Sequence, residues 1–265
     1  MNTYRLTYRG VLAGEWTKFW SLRSSWITLG VSLVLLAAFG VIAALTYSPG
    51  GQAGPGPGGP GAGATDAVGL ALTGSTFASL AIGVLGVLVA AGEYSTGLIR
   101  ATIAAVPARL PVLTAKSLLF GVTASVVTAA GAVLAFLFAA PLISGEPIAL
   151  GIGADGVLRS LLGAGLYLGL VGVFGVALGM LVRSSAGGIA TLVGVLLILP
   201  GLTSLLPDSW SDTIGPYLPG TAGGAVMSLQ TSDGSLGPWT GLAVFAGWVA
   251  LTLAAAAYRL VKTDV

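Results

Sequence analysis

Six long apolar runs carry no charged side chain in their interiors, at residues 26–46, 67–91, 117–143, 157–182, 186–206 and 239–258. Each holds 20 to 27 residues, and about 20 helical residues at a 1.5 Å rise cross roughly 30 Å of hydrocarbon. None shows the period-two alternation of a lipid-facing barrel strand. A helix satisfies its backbone polar groups within its own segment, so the runs predict an all-α membrane protein with six transmembrane helices.

Basic residues set the expected orientation, because cytoplasmic loops are enriched in Lys and Arg. Ten of the eleven fall in segments assigned to one side: Arg5, Arg9, Lys18 and Arg23 before the first run, Arg100, Arg109 and Lys116 between the second and third, Arg183 between the fourth and fifth, and Arg259 and Lys262 after the sixth. Arg159, at the mouth of the fourth run, is the exception. The opposite loops carry Asp66, Glu146, Asp155, Asp208, Asp212 and Asp233. This alternation predicts both termini in the cytoplasm. It divides the chain into a cytoplasmic N-terminal segment (1–25), a transmembrane domain (26–258) and a short tail (259–265). The domain contains an external linker (47–66), a cytoplasmic loop (92–116) and an external segment (207–238). The first run is too long and starts too late for a signal-peptide core, and is expected to remain as an anchor.

The segments between the runs are not featureless. In the N-terminal arm Leu12, Trp16, Phe19 and Trp20 share one helical face, with Thr17 and Lys18 away from it. That pattern suits a helix lying along the cytoplasmic leaflet, and serves equally as an aromatic anchor or as a partner contact. The linker is almost pure Gly, Pro and Ala, too poor in apolar bulk to fold. Its Gly56, Gly58 and Gly61 match G-x-G-x-x-G without the flanking strand and helix that a phosphate site needs. In the cytoplasmic loop Gly97 can end the second helix in a left-handed conformation. Residues 98–106 then read as a short amphipathic helix stopped before Pro107, and Pro111 suits the first turn of the third span. Trp210, Tyr217, Leu218, Val226 and Met227 make the external segment too apolar for a free loop. Short helices dipping into the outer leaflet and a passive interfacial cap both explain it. Gly165, Gly169, Gly172 and Gly179 line one face of the fourth span, a surface for close helix packing or for sliding during transport.

The missing chemistry is as informative. The chain has no cysteine and no histidine, so a metal would need carboxylates alone, and these are scattered; no metal or disulfide is expected. The net charge of +2 reflects sidedness, with no basic cluster dense enough for nucleic acid. There is no G-x-x-x-x-G-K-[ST] motif, since Ala115 rather than Gly precedes Lys116. No nucleophile elbow or catalytic pair is present, so neither a catalytic residue nor a bound cofactor is expected. Ion-coupled carriers keep Asp, Glu or His inside their spans despite about 2.5–3.5 kcal/mol per charge. None is present here. Uphill transport would therefore draw its energy from outside the membrane domain.

The loop "GEYSTGLIRATIAAVPARLPVLTAK" resembles the loop between the second and third helices of ABC-2-type permeases of ATP-binding-cassette (ABC) transporters. The segments "EWTKFWSLRSSW" and "LPDSWSDTIGPYLPGTAGGAVM" are similar to the same family, in particular to short permeases of high-GC Gram-positive bacteria. The resemblance covers nearly the whole chain; the long Gly/Pro linker departs from the minimal family pattern. It implies a half-transporter in a bacterial plasma membrane, in which two such subunits, identical or related, pair with two ATPase subunits that bind ATP and Mg. It further implies a connecting helix at 12–22 and a coupling helix seated on the ATPase. That helix would include Leu98, Ile99, Arg100, Thr102 and Ile103, with Glu93 and Arg109 near its ends. Small re-entrant helices are implied at 210–227. The substrate path would lie at the dimer interface, and its uncharged walls favour an apolar or amphipathic cargo: a drug, a lipid-like molecule or a peptide. A stand-alone carrier or pore, and a non-transporting immunity or anchor protein, are the alternatives.

Overall fold

A computed structural model describes residues 7–48, 66–106, 108–203, 205–231 and 234–262, with the side chain of Asp208 left out. Among them there is no strand. Helix α1 (Tyr8–Ser21) is capped by Thr7, whose hydroxyl accepts from the Gly10 N–H, and ends where Leu22 adopts extended backbone. The chain then turns directly into α2 (Arg23–Leu45). Most of the Gly/Pro linker, with Gly56, Gly58 and Gly61, lies outside the described residues, as do Pro107 and Asp233.

The second apolar run does not form the single helix its composition suggests. It makes a short α3 (Ala67–Ala71), capped by Asp66 on the Gly69 N–H, and then α4 (Ser75–Ser95). The break has a packing reason. A Cβ on Gly74 would stand 2.6 Å from the Leu35 carbonyl oxygen and 2.7 Å from Leu36 Cα, so α4 starts pressed against the backbone of α2.

Beyond α4 come α5 (Leu98–Ala105), α6 (Leu110–Ala139, extended by a 3₁₀ turn at Ala140–Ile143) and α7 (Val157–Val182). The fifth span is α8 (Ser185–Val193), a π-helical turn at Gly194–Ile198 and α9 (Leu199–Thr203). Pro200 accounts for the irregularity: it cannot donate to the Leu196 carbonyl and its ring crowds that group, which a wider π turn relieves. Outside this span lie α10 (Asp208–Ile214) and α11 (Pro219–Gly224), and the last span is α12 (Pro238–Lys262). Among the described residues, six helices are long and apolar enough to cross a membrane. The protein is a multi-pass membrane protein by that criterion.

Helix α7 is the axis of the bundle. Within its apolar stretch 72% is buried, against 17% for the fifth span and 22% for α12, because α4, α6 and α12 all pack on it. Lipid gives no hydrophobic drive for helices to associate, so close backbone approach must supply the contact energy. The glycine face does this on two sides. An added Cβ would meet Ala129 of α6 at Gly165 and Gly121 of the same helix at Gly169, while at Gly179 it would lie 2.7 Å from the Val87 carbonyl of α4. Gly172 sits between, its added Cβ running into the Phe120 ring and standing 3.1 Å from Ile82. Gly83 and Gly86 of α4 and Gly175 of α7 complete the seam, and a view of α7 alone does not disclose them.

The segment at 207–238 is part exposed and part buried among its described residues. Trp210 and Tyr217 are exposed, whereas Pro219, Ala222, Gly223 and Val226 are buried. Gly223 lies against the Tyr167 ring of α7 and Phe245 of α12, and the Trp248 indole donates to the Tyr217 carbonyl at 3.1 Å. The Arg159 guanidinium, the basic outlier at this end, donates to the Ser228 carbonyl at 3.0 Å.

Candidate functional site

Arg109, Arg183 and Arg259 gather at one end of the bundle, opposite Arg159. Arg109 at the start of α6 donates to the Leu260 carbonyl of α12 at 2.9 Å. The Arg183 guanidinium lies over the Tyr94 ring of α4, 5.3 Å from its centroid, and donates to the Arg259 carbonyl. Arg259 in turn donates to the Leu181 carbonyl. These arginines neutralise the negative ends of α7 and α12 while tying adjacent helix ends together. Arg183 adopts left-handed backbone, φ 59°, where α7 stops.

A second charge system lies deeper, and it is the centre of the site. Glu15 of α1, Glu93 of α4 and Lys116 of α6 are 6%, 6% and 3% exposed. Lys116 Nζ stands 2.7 Å from Glu15 Oε2 and 2.8 Å from Glu93 Oε1. Lys18 closes the group from the rim, 3.0 Å from Glu15 Oε1 and 3.1 Å from Glu93 Oε1. Its third bond, 3.2 Å, goes to the Thr102 hydroxyl of α5. Two carboxylates and two ammonium groups thus form a neutral quartet drawn from three helices and hydrogen-bonded to a fourth.

Burial opposes the charged form of Glu15, but the Lys116 and Lys18 ammonium groups outweigh it and hold the carboxyl below its ordinary value. For Lys18 burial works the same way, and the Glu15 and Glu93 carboxylates overcome it to raise the amine. Removing one partner of such a buried pair leaves an uncompensated charge, which costs about 3–5 kcal/mol.

The apolar face expected on α1 divides. Phe19 is buried, edge-on to Phe120 at 5.9 Å and Trp26 at 5.7 Å, and Leu12 is half-buried. Trp16 and Trp20 stack on each other at 5.4 Å and stay exposed. Lys18, expected to point away, reaches inward, because the buried Glu15 and Glu93 offer it partners worth more than a partly hydrated surface.

Helix α5 is held as a separate piece. Gly97 takes left-handed backbone, φ 73°, immediately before it. Ile99 is buried, Thr102 and Ile103 are half-buried, and Leu98, Arg100, Ala101, Ala104 and Ala105 are exposed. Of the loop residues singled out from sequence, Leu98 and Arg100 face outward. Glu93 and Ile99 are turned into the protein, and Arg109 is occupied by the end of α12. The pairing of Glu15 with Lys116 is not legible in the sequence. An acidic residue inside an otherwise aromatic arm was the available signal, and its partner became visible only with the tertiary structure.

Among the described residues no group of three acidic side chains is placed to hold a metal ion. No protein-family model and no curated protein sequence matches the chain.

Proposed function

We propose that the chain is the membrane-spanning subunit of an ABC-2-type exporter, moving an apolar or amphipathic substrate with ATP hydrolysed by a separate subunit. The observation that carries this reading is α5: a short, partly uncovered helix between two spans, joined through Thr102 and Lys18 to a buried charge group in α1, α4 and α6. An ATPase seated on Leu98, Arg100 and Ala104 would push on α5. The push would reach three helices at once, because desolvated charges resist separation.

The rest follows the same physics. The spans lack an ionisable group at mid-membrane depth, so the work enters at the basic end, taken as cytoplasmic. Two copies, or this chain and a relative, would face each other across an uncharged path in a bacterial plasma membrane. The embedded turn at Pro219–Gly224 would close the outer end of that path as a re-entrant element, with Gly223 allowing its close approach to Tyr167.

The test is co-reconstitution with the ATPase recovered from native membranes. ATP-dependent export of a hydrophobic dye is expected, and it should vanish with Arg100→Glu while the protein stays folded. Export of a strictly hydrophilic, highly charged solute would refute the cargo class. Activity from the chain alone under an ion gradient would favour a stand-alone carrier.

A further inference from the structure

A cavity of about 430 Å³ opens at the basic end between α1, α2, α4 and α6. Its size falls within the roughly 300–1,000 Å³ of small-molecule pockets. The interior is apolar, formed by Phe19, Leu85, Val89, Leu119 and Phe120. Leu22, Leu88 and Leu98 also line it, and each is exposed. Exposed Leu22 at the α1–α2 junction and Leu88 of α4 give the mouth an apolar edge suited to an acyl chain.

Two polar groups in the wall are unfinished. Glu93 lines the cavity, and among the described residues no donor reaches its buried Oε2, although its Oε1 accepts from both lysines. The buried Ser25 hydroxyl, also in the wall, is likewise without a partner. Lys116 lines the same cavity and has three donors, of which Glu15 and Glu93 engage two. The cavity thus offers a carboxylate oxygen that needs a donor, an ammonium proton that needs an acceptor, and an apolar slot with an apolar mouth.

We infer that this cavity binds one chain and the headgroup of a phospholipid bearing a primary amine, with the lipid ammonium on Glu93 Oε2 and its phosphate towards Lys116 and Ser25. A zwitterionic headgroup preserves the neutrality of the quartet. A quaternary choline has no N–H to give Glu93, and an anionic glycerol headgroup adds negative charge beside two carboxylates. The inference stands on the cavity alone and does not require the exporter reading.

The experiment is native mass spectrometry of the detergent-solubilised full chain titrated separately with dioleoyl phosphatidylethanolamine, phosphatidylcholine and phosphatidylglycerol. The first adduct should form at about tenfold lower concentration for the ethanolamine lipid, as expected for one charge-assisted hydrogen bond. Glu93→Gln should erase that preference. Should Glu93→Gln fail to fold, Leu88→Trp decides, since it plugs the mouth without touching the quartet. A folded Leu88→Trp protein should lose the tight ethanolamine adduct while keeping weak, unselective lipid. Equal affinity for the three lipids, a preference for the glycerol lipid, or an unchanged tight adduct in Leu88→Trp overturns the inference.

Discussion

Lys116 of the third span meets Glu15 of the N-terminal helix at 2.7 Å, with both side chains buried. The contact makes α1 part of the bundle rather than a float on the membrane surface. Through Lys18 and Thr102 it also makes α5 answerable to the same group.

Lys116→Met should therefore destabilise the protein strongly, by about 3–5 kcal/mol, because it leaves two buried carboxylates with a single cation, Lys18 at the rim. Thermal unfolding in mild detergent reads this directly. A loss under about 0.5 kcal/mol would show that the quartet is hydrated and contributes little.

The pH dependence has a defined sign at each limb. Glu15 is held below its ordinary value of 4.5, so its contribution is complete above that pH and is lost as pH falls through the lowered value. Lys18 is raised above 10.5, so its contribution is complete below that pH and is lost as pH rises through the raised value. Unfolding midpoints against pH should be flat with respect to these two groups between the limits. Glu15→Gln should flatten the acid limb; an acid limb of unchanged size assigns it to other carboxylates.

Much of this architecture is legible in the sequence, and the exceptions have physical causes. Uninterrupted apolar length at 26–46, 117–143 and 239–258 marks helices because the bilayer leaves the backbone few choices. The same criterion merges α3 with α4, since nothing in 67–91 announces that Gly74 must fit against the Leu36 backbone. It also treats the fifth span as regular although Pro200 forces a π turn. Gly97 and Pro111 bracket α5 by local backbone rules, which sequence carries well. The quartet is different: Glu15, Lys18, Glu93 and Lys116 come from three helices, and only folding shows that they neutralise one another. Reading Glu93 as a loop-end charge facing a partner overlooks the ammonium groups that draw it inward.

Packing along α7 makes a graded prediction. Gly169→Leu places a side chain where a Cβ already stands 2.9 Å from the Gly121 carbonyl oxygen, and overpacking of this kind costs about 1–3 kcal/mol. Gly247→Ala of α12, with open space around its added Cβ, should stay within about 0.5 kcal/mol of wild type. Equal effects at the two sites would remove the special status of the α4–α7–α6 seam.

The exposed face of α5 should behave in the opposite way to the quartet. Arg100→Glu and Ala104→Trp alter side chains that are exposed, so unfolding midpoints should barely move. If the proposed pairing with an ATPase holds, ATP-driven transport should fall at least about tenfold, the effect of losing roughly 1.4 kcal/mol of coupling. Full transport in both variants would leave α5 as a simple connector.

The most direct measurement uses the absence of cysteine from the chain. A single cysteine at Ala101, on the exposed face of α5, is labelled with a photocrosslinker in native membranes, and the adduct is identified by mass spectrometry. The account predicts a soluble protein carrying a complete G-x-x-x-x-G-K-[ST] loop, and loss of that adduct when Ala104→Trp is added. Crosslinking to lipid alone, together with uphill transport by the purified chain without nucleotide, would contradict it.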